Sequence, residues 1–205
     1  MGARLRLAAL ALAGASMLSL HVPDAPQPAP PAPPLAALPG AVPPDVALVR
    51  SHLERQRTGL VRAELDALSR TIVKEARRHE LPVDLVLAVM HVESRFHAFA
   101  VSPVGALGLM QILPATGREL ASQQGIPWSG PQTLFDPEAN VRLGTAYLKW
   151  LKGRYGRIDV ALAAYNWGPG RIDRRLRRGA NLPSRYIEQV MRAYDRGVQM
   201  ASRRS

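Results

Sequence analysis

The chain has 205 residues, contains no cysteine and carries a formal net charge of +11. This length suits one compact domain with appendages, and the lack of cysteine excludes disulfides, thiolate catalysis and a lipidated cysteine near the N-terminus. Arg4, Arg6 and Asp24 together carry +1, so the other +10 lies from Asp45 onward, a surplus that favours an anionic partner such as nucleic acid, acidic lipid or an anionic wall polymer.

Residues 1–22 have the pattern of an export signal. Arg4 and Arg6 precede an apolar stretch from Leu7 to Leu20, and the small residues Ala13–Ala15 offer a cleavage site. A short uncleaved membrane anchor is the alternative, although the stretch is below the roughly 20 residues of a comfortable span. We therefore expect an exported protein, periplasmic or associated with the cell envelope, and this location disfavours nucleic acid as the anionic partner.

Three further segments follow along the chain. Residues 23–47 are rich in proline and alanine and predict an extended linker, because proline fixes φ and removes amide donors. Residues 48–66 are expected to form a helical lead-in, and residues 67–201 the main domain. A first long helix is indicated by apolar residues at steps of three or four, namely Val61, Leu65, Leu68, Ile72 and Ala76.

The segment Val83–Phe96 predicts the central helix of the domain. Pro82 opens it, since proline is tolerated in a first turn. The segment is apolar on nearly every side, which is typical of a helix buried within the fold.

Downstream residues predict further helices and one loop. Pro103, Gly105 and Gly108 place a loop or short hairpin at Ser102–Gly108. Later helices are expected from Pro114 to before Gly125, from the Asp136-Pro137-Glu138 start to about Tyr155, from a cap at Asp159 through Tyr165, and from near Pro183. We predict a mainly α fold with six or seven helices after Leu60 and at most a small β element near Ser102–Gln111.

Glu93 is the candidate catalytic residue. On the central helix it shares a face with Val86, Val89 and Met90, so its carboxyl group should be partly desolvated. Desolvation raises a carboxyl pKa, and the resulting acid can donate a proton near neutral pH, as the opening of a glycosidic bond requires. The alternative is a Glu that ends a helix and points to water.

Residues after Glu93 offer groups that suit a sugar ligand. Gly105 and Gly108 allow close backbone approach, and Ser102 and Gln111 offer hydrogen bonds. The segment Tyr165–Gly170 adds Tyr165, Asn166 and Trp167 beside a glycine-rich turn, and aromatic faces suit the apolar patches of sugars. A packing role for Trp167 is the simpler alternative.

Three motifs in order carry a family resemblance: "ESRF" with "SPVGALGLMQILPATG", then "LFDPEANVRLGTAYL", then "ALAAYNWGPGR". From Ala67 to Tyr194 the chain resembles the lytic transglycosylases with an SLT domain, whose fold is related to goose-type lysozyme in the α+β lysozyme-like superfamily. The resemblance implies cleavage of the β-1,4 bond between N-acetylmuramic acid and N-acetylglucosamine in peptidoglycan. It also implies a 1,6-anhydro product, with no cofactor and no metal.

The resemblance also implies roles for individual residues. Glu93 matches the family's single acid/base, and the substrate's own acetamido group would stabilise the intermediate. Positions expected to bind substrate are Ser102, Gly108, Gln111, Tyr165, Asn166 and Tyr186. Tyr186 matches a family position with a role near the catalytic Glu, and core packing is the alternative. Leu182 stands where many relatives have an acidic residue, which puts an assisting carboxylate from the last helix in doubt.

Other functions remain open on sequence alone. A muramidase would hydrolyse the same bond with water, and a non-catalytic protein could keep the cleft to bind the wall. Peptidoglycan strands are the expected partner, and a secretion, conjugation or pilus apparatus is a further one. The five arginines of Arg171–Gly179 indicate a basic surface for wall strands or lipid, or simply a solvated helix face.

Overall fold

The computed structural model describes residues 42–202, with side-chain surroundings as far as residue 197. The predicted export signal or anchor, residues 1–22, and most of the predicted linker therefore lie outside the described residues. Within residues 42–202, no helix is both long enough and apolar enough to cross a bilayer.

Eight α-helices build the described part of the chain. They are α1 (Pro44–Leu53), α2 (Arg62–Arg78), α3 (Val83–Ser94), α4 (Pro114–Gln124), α5 (Pro137–Tyr155), α6 (Ile158–Trp167), α7 (Pro169–Arg177) and α8 (Ser184–Ser202). A 3-10 helix, Pro131–Phe135, precedes α5. Seven helices thus follow Leu60, and the predicted mainly α fold is confirmed.

The only β structure between residues 42 and 202 consists of two isolated antiparallel bridges. They pair Leu107 with Val101 and with Ile112. The loop that holds them, residues 100–113, is called the bridge loop below. It lies where the sequence predicted a small β element at most.

The helix α3 lies at the centre of the fold. Its residues Leu85, Val86, Val89 and Met90 are buried, as predicted, and α8 packs along it. The side that carries Leu87 is only half-buried, so the helix is not enclosed on every side.

Helix starts follow the local chemistry in most places. Asp136 accepts a hydrogen bond from the backbone N–H of Ala139 at 2.7 Å, which is the predicted cap of α5. At Pro44 a helix begins within the predicted linker, because proline fits a first turn and Asp45 places a negative charge at the positive end of the helix dipole.

Two local predictions were wrong. Asp159 does not cap α6: the helix begins at Ile158, and the Asp159 carboxylate instead pairs with the Arg157 guanidinium at 2.5 Å. Val61 does not join the apolar stripe of α2, since it stands just before the helix and is 66% exposed. Helix α2 thus begins one residue after Val61, and α6 begins two residues earlier than a cap at Asp159 would place it.

Candidate active site

The end of α3 presents the Glu93 carboxyl group. Arg95 and Phe96, at φ of 52° and 65°, both have left-handed backbones, and this ends the helix at Ser94. Burial raises the pKa of Glu93 from 4.5 to about 7, and a hydrogen bond from Tyr186 acts in the opposite direction. The carboxyl group therefore holds a proton in a large fraction of molecules at neutral pH.

Tyr186 on α8 contacts Glu93 directly. Its hydroxyl donates a hydrogen bond to Glu93 Oε1 at 2.5 Å, and the Tyr186 side chain is buried. Burial and the nearby Glu93 carboxylate raise the pKa of Tyr186 well above its usual range. Tyr186 thus remains a hydrogen-bond donor, and it fixes one carboxyl oxygen while the other stays free to react.

Tyr165 on α6 lies on another side of the same site. Its hydroxyl donates to the carbonyl oxygen of Met110 at 2.8 Å. Burial raises its pKa well above the usual range, and the Glu93 charge adds to this effect. Tyr165 is therefore within electrostatic reach of Glu93 and holds the bridge loop against α6.

Ser94 and Gln111 hold the bridge loop from within. The Ser94 hydroxyl lies 2.8 Å from the carbonyl oxygen of Leu109, which ties the loop to the end of α3. The Gln111 amide nitrogen donates to the carbonyl oxygens of Gly108 and Ala100 at 2.9 and 3.2 Å. Gln111 is half-buried at φ of 49°, and its amide oxygen has no hydrogen-bond partner among the described residues.

Ser102 forms the turn at the outer end of the bridge loop. Its hydroxyl oxygen accepts a hydrogen bond from the backbone N–H of Ala106 at 2.9 Å. Gly105, at φ of 80°, faces open space. Ser102 therefore stabilises this turn, and a contact between Ser102 and substrate stays a prediction.

Gly108 is buried beneath the bridge loop. Its φ is 77°, and a Cβ added there would lie 2.3 Å from the carbonyl oxygen of Leu134 and 2.4 Å from Asn140 Nδ2. The lack of a side chain at Gly108 thus allows the bridge-loop backbone to pack closely against Leu134 and Asn140. A contact between Gly108 and substrate stays a prediction.

Asn140 on α5 is a positioning residue that sequence reasoning missed. Its buried amide donates to the carbonyl oxygens of Leu107 and Leu134 and accepts from the backbone N–H of Met110, at 2.7–2.9 Å. Asparagine is disfavoured in a helix interior because its side chain competes for backbone hydrogen bonds. Its place in the fourth position of α5 was the available signal.

Asn166 and Trp167 lie at the surface where α6 ends. Both are exposed, and Trp167 retains 40% of its surface. The guanidinium of Arg175 lies 5.5 Å from the centre of the Trp167 ring. Trp167 is therefore a surface residue, and the packing role considered as its alternative is wrong. Helix α7, which carries the predicted basic surface, begins two residues later.

The other carboxylates considered from sequence are engaged elsewhere. Asp136 caps α5, Asp159 pairs with Arg157, and Glu138 accepts a hydrogen bond from the Thr71 hydroxyl at 2.6 Å. The pKa shift of Glu93 arises from burial and Tyr186, with no contribution from another charged group in the described chain. A lone acid, flanked by two tyrosines and the bridge loop, can give and take a proton without a second carboxylate.

Comparisons with known proteins agree on one family. The family model described as transglycosylase SLT domain matches residues 70–188. The soluble lytic murein transglycosylase of Escherichia coli K12 is 41% identical over 95 residues, which cover 45% of this chain and 15% of that protein. The membrane-bound lytic murein transglycosylase C of Sodalis glossinidius is 34% identical over 150 residues, covering 66% of this chain and 39% of that protein.

Two solved structures share the fold. The 70 kDa soluble lytic transglycosylase of Escherichia coli superposes with a TM-score of 0.56 at 33% identity, over 61% of this chain and 23% of that one. An inactive glutamate-to-glutamine mutant of lytic transglycosylase Slt from Pseudomonas aeruginosa superposes with a TM-score of 0.55 at 35% identity, over 60% and 22%. The chain spans well under half the length of each of these relatives.

Proposed function

Because the family model matches more than half of the chain, this protein belongs to the transglycosylase SLT domain family, and we propose that it is a peptidoglycan lytic transglycosylase. It would cleave the β-1,4 bond between N-acetylmuramic acid and N-acetylglucosamine and leave a 1,6-anhydro end. The observation that carries this proposal is the Glu93 carboxyl group, half-buried, hydrogen-bonded by Tyr186 and titrating near neutral pH.

In the first step Glu93 acts as general acid. A carboxyl group with a pKa of about 7 is matched to proton transfer near neutral pH. It would protonate the glycosidic oxygen as the bond to the muramoyl C1 breaks. The positive charge that develops on the sugar would be stabilised by the substrate's own acetamido group.

In the second step the same carboxylate acts as general base. It would take the proton from the muramoyl C6 hydroxyl, whose oxygen then bonds to C1 and closes the anhydro ring. Atoms balance without water, and Glu93 returns to its protonated state. Tyr186, which donates to Oε1 throughout, would stabilise the ionised carboxylate between the two steps.

The absence of a charged neighbour favours this mechanism over a two-carboxylate one. A retaining hydrolase with an enzyme nucleophile needs a second carboxylate about 5 Å from the acid. A charge that close would shift the pKa of Glu93, and no such contribution arises from the described residues. A muramidase that uses water with a single carboxylate is the alternative, and the mass of the product distinguishes the two.

The substrate would lie between the bridge loop and the end of α6. The residues proposed to contact it are Ser102, Gly108, Gln111, Tyr165, Asn166 and Tyr186. Support is uneven among them: the Gln111 amide oxygen and the exposed Asn166 have free hydrogen-bonding capacity, whereas the Tyr165 hydroxyl is committed to Met110.

The setting of the enzyme follows from its substrate. We propose an envelope location, reached through the export signal or anchor expected at residues 1–22. Action on behalf of a secretion, conjugation or pilus apparatus is a further proposal, which genomic neighbours would test. The surplus positive charge suits an anionic wall.

A wall-lysis assay with matched variants tests the catalytic role of Glu93. Glu93→Gln keeps the shape and the hydrogen bond from Tyr186 but has no proton to transfer, so lysis of purified peptidoglycan should fall by about a hundredfold or more. Glu119→Gln removes an exposed carboxylate from α4 and should leave lysis at the wild-type rate. Equal lysis by wild type and Glu93→Gln would refute the proposal.

A further inference from the structure

A cavity of about 520 Å³ lies on the side of α3 away from the candidate active site. It is half open to solvent and is lined by α1, the exposed side of α3 and the end of α8. Its neighbour on α3, His91, is two residues from Glu93, which places the two side chains on roughly opposite sides of the helix. The cavity is therefore separate from the chemistry proposed above.

The wall of this cavity is mainly apolar. The lining includes Leu48, Val49, Val83, Leu87, Phe96 and Ala193. Leu48 on α1 is 53% exposed, although a well-packed helix pair would cover it. The volume falls in the range of small-molecule sites, about 300–1,000 Å³.

One end of the cavity is cationic. His91 and Arg196 line both the cavity and an adjoining depression of about 190 Å³, which Arg95, Arg192 and Gln189 also line. No carboxylate within residues 42–197 forms an ion pair with Arg95 or Arg196, and Arg192 has only an exposed one with Glu188 at 3.5 Å. We call this end the arginine mouth.

The mouth draws its positive charge from the arginines. Burial, followed by Arg196 and Arg95, lowers the pKa of His91, so this histidine is mainly neutral at pH 7. Two clustered guanidinium groups without carboxylate partners raise the local positive potential. Such an arrangement favours a carboxylate or phosphate, which guanidinium binds through two parallel hydrogen bonds.

The rest of the lining includes the carboxylates Asp45 and Asp84 and the exposed Arg55, and the Asp84 carboxylate lies beside Gly197 on α8. Asp84 precedes His91 by seven residues, so their backbone positions are roughly 10 Å apart along α3. Asp45 is paired with Arg77 at 2.5 Å. Because the Asp84 carboxylate would repel an anionic group, such a group is expected at the arginine mouth and not beside Asp84.

We propose that this cavity binds a single-chain anionic amphiphile, with its alkyl chain along the apolar wall and its carboxylate or phosphate at the arginine mouth. The site is independent of peptidoglycan cleavage. The probe is dodecanoate below its micelle concentration, titrated calorimetrically into the full chain. One saturable site is expected, with decanoate and octanoate binding about fourfold more weakly per methylene removed.

Variants of the lining separate the two parts of the site. Arg196→Gln should weaken dodecanoate binding about tenfold through loss of a charged hydrogen bond. Leu87→Trp should block the apolar part. Should that variant fail to fold, Leu48→Asp, at an exposed position, should abolish binding by placing a carboxylate beside the chain. Arg118→Gln on α4, far from the cavity, should bind like wild type.

Three results would overturn the proposal. Dodecanol binding as tightly as dodecanoate would refute the anionic head group. Unchanged binding by both Arg196→Gln and Leu48→Asp would place the ligand elsewhere. Absence of saturable binding to the full chain would refute the amphiphile and favour a peptide segment as the occupant. Glu93→Gln should bind dodecanoate normally, so this outcome does not depend on the catalytic proposal.

Discussion

At the scale of single residues, two opposing effects set the pKa of Glu93. Burial at the end of α3 favours the neutral acid, and the hydrogen bond from Tyr186 favours the carboxylate. Burial is the larger effect, so the pKa rises rather than falls. The balance leaves a group that is protonated often enough to act as an acid and ionised often enough to act as a base.

Glu93 should make the protein less stable as pH rises. Its pKa is about 7 when folded and 4.5 in the unfolded reference, so its contribution is full below pH 4.5 and is lost as pH rises to about 7. The shift corresponds to about 3 kcal/mol above pH 7. Urea unfolding should therefore find Glu93→Gln more stable than wild type at pH 8, and nearly equal at pH 4. An equal difference at both pH values would contradict the raised pKa.

Replacement of Tyr186 by Phe tests the hydrogen bond to Glu93. Loss of this donor removes stabilisation of the carboxylate, so the pKa of Glu93 should rise by about one further unit. Wild-type lysis should decline as pH passes about 7. In Tyr186→Phe this decline should begin about one pH unit higher, at a maximal rate about tenfold lower.

Tyr155→Phe is the matched control for that experiment. The Tyr155 hydroxyl donates to Asp173 at 2.8 Å, on the side of α5 and α7, and has no contact with Glu93. Its loss should change stability but leave the pH dependence of lysis at the wild-type position. A Tyr186→Phe profile that coincides with this control would show that the hydrogen bond does not tune the acid.

At the scale of elements, the bridge loop depends on α5 for its position. Asn140 binds it through two hydrogen bonds, from the Met110 N–H and to the Leu107 carbonyl oxygen. Gly144 leaves room for the Met110 side chain, which a Cβ there would meet at 2.4 Å. The loop in turn supplies the carbonyl oxygens that Ser94 and Tyr165 contact. Helix α3, the bridge loop and α6 are thus held in one arrangement by polar contacts.

Two glycines of the bridge loop provide a matched test of this arrangement. Gly105 and Gly108 have φ of 80° and 77°, so alanine at either position carries the left-handed penalty of about 1 kcal/mol. Only at Gly108 would the new Cβ also meet Leu134 and Asn140. Gly108→Ala should therefore cost at least about 2 kcal/mol more than Gly105→Ala in urea unfolding. Equal costs would contradict the packing described for the loop.

Element boundaries show what a sequence pattern can and cannot predict. The start of α5 followed from Asp136 and Pro137 because a cap is a local interaction. The start of α6 did not follow from Asp159, because the Asp159 carboxylate pairs with the Arg157 guanidinium and does not cap the helix. The anchoring role of Asn140 joins segments about 30 residues apart, and no local pattern encodes such a contact.

At the scale of the whole molecule, the mainly α fold was predictable from helical periodicity and helix-start residues, and the central place of α3 from its apolar run behind Pro82. The pairing of Glu93 with Tyr186 could be expected only from the family resemblance, because 93 residues separate them and only the packing of α8 along α3 brings them together. The cavity behind α3 could not be predicted either, because an apolar residue that packs against a helix has the same sequence pattern as one that lines a cavity. The domain limits and the roles given to residues 1–41 remain predictions.

In the proposed mechanism, Glu93 alone gives a proton to the glycosidic oxygen and takes one from the C6 hydroxyl. No water enters the product. The most direct test digests peptidoglycan with the full-length protein in water enriched in oxygen-18 and measures the released muropeptides by mass spectrometry. The proposed mechanism predicts anhydro ends without oxygen-18, and their loss in Glu93→Gln. Reducing ends that carry oxygen-18 would contradict it and identify a hydrolase instead.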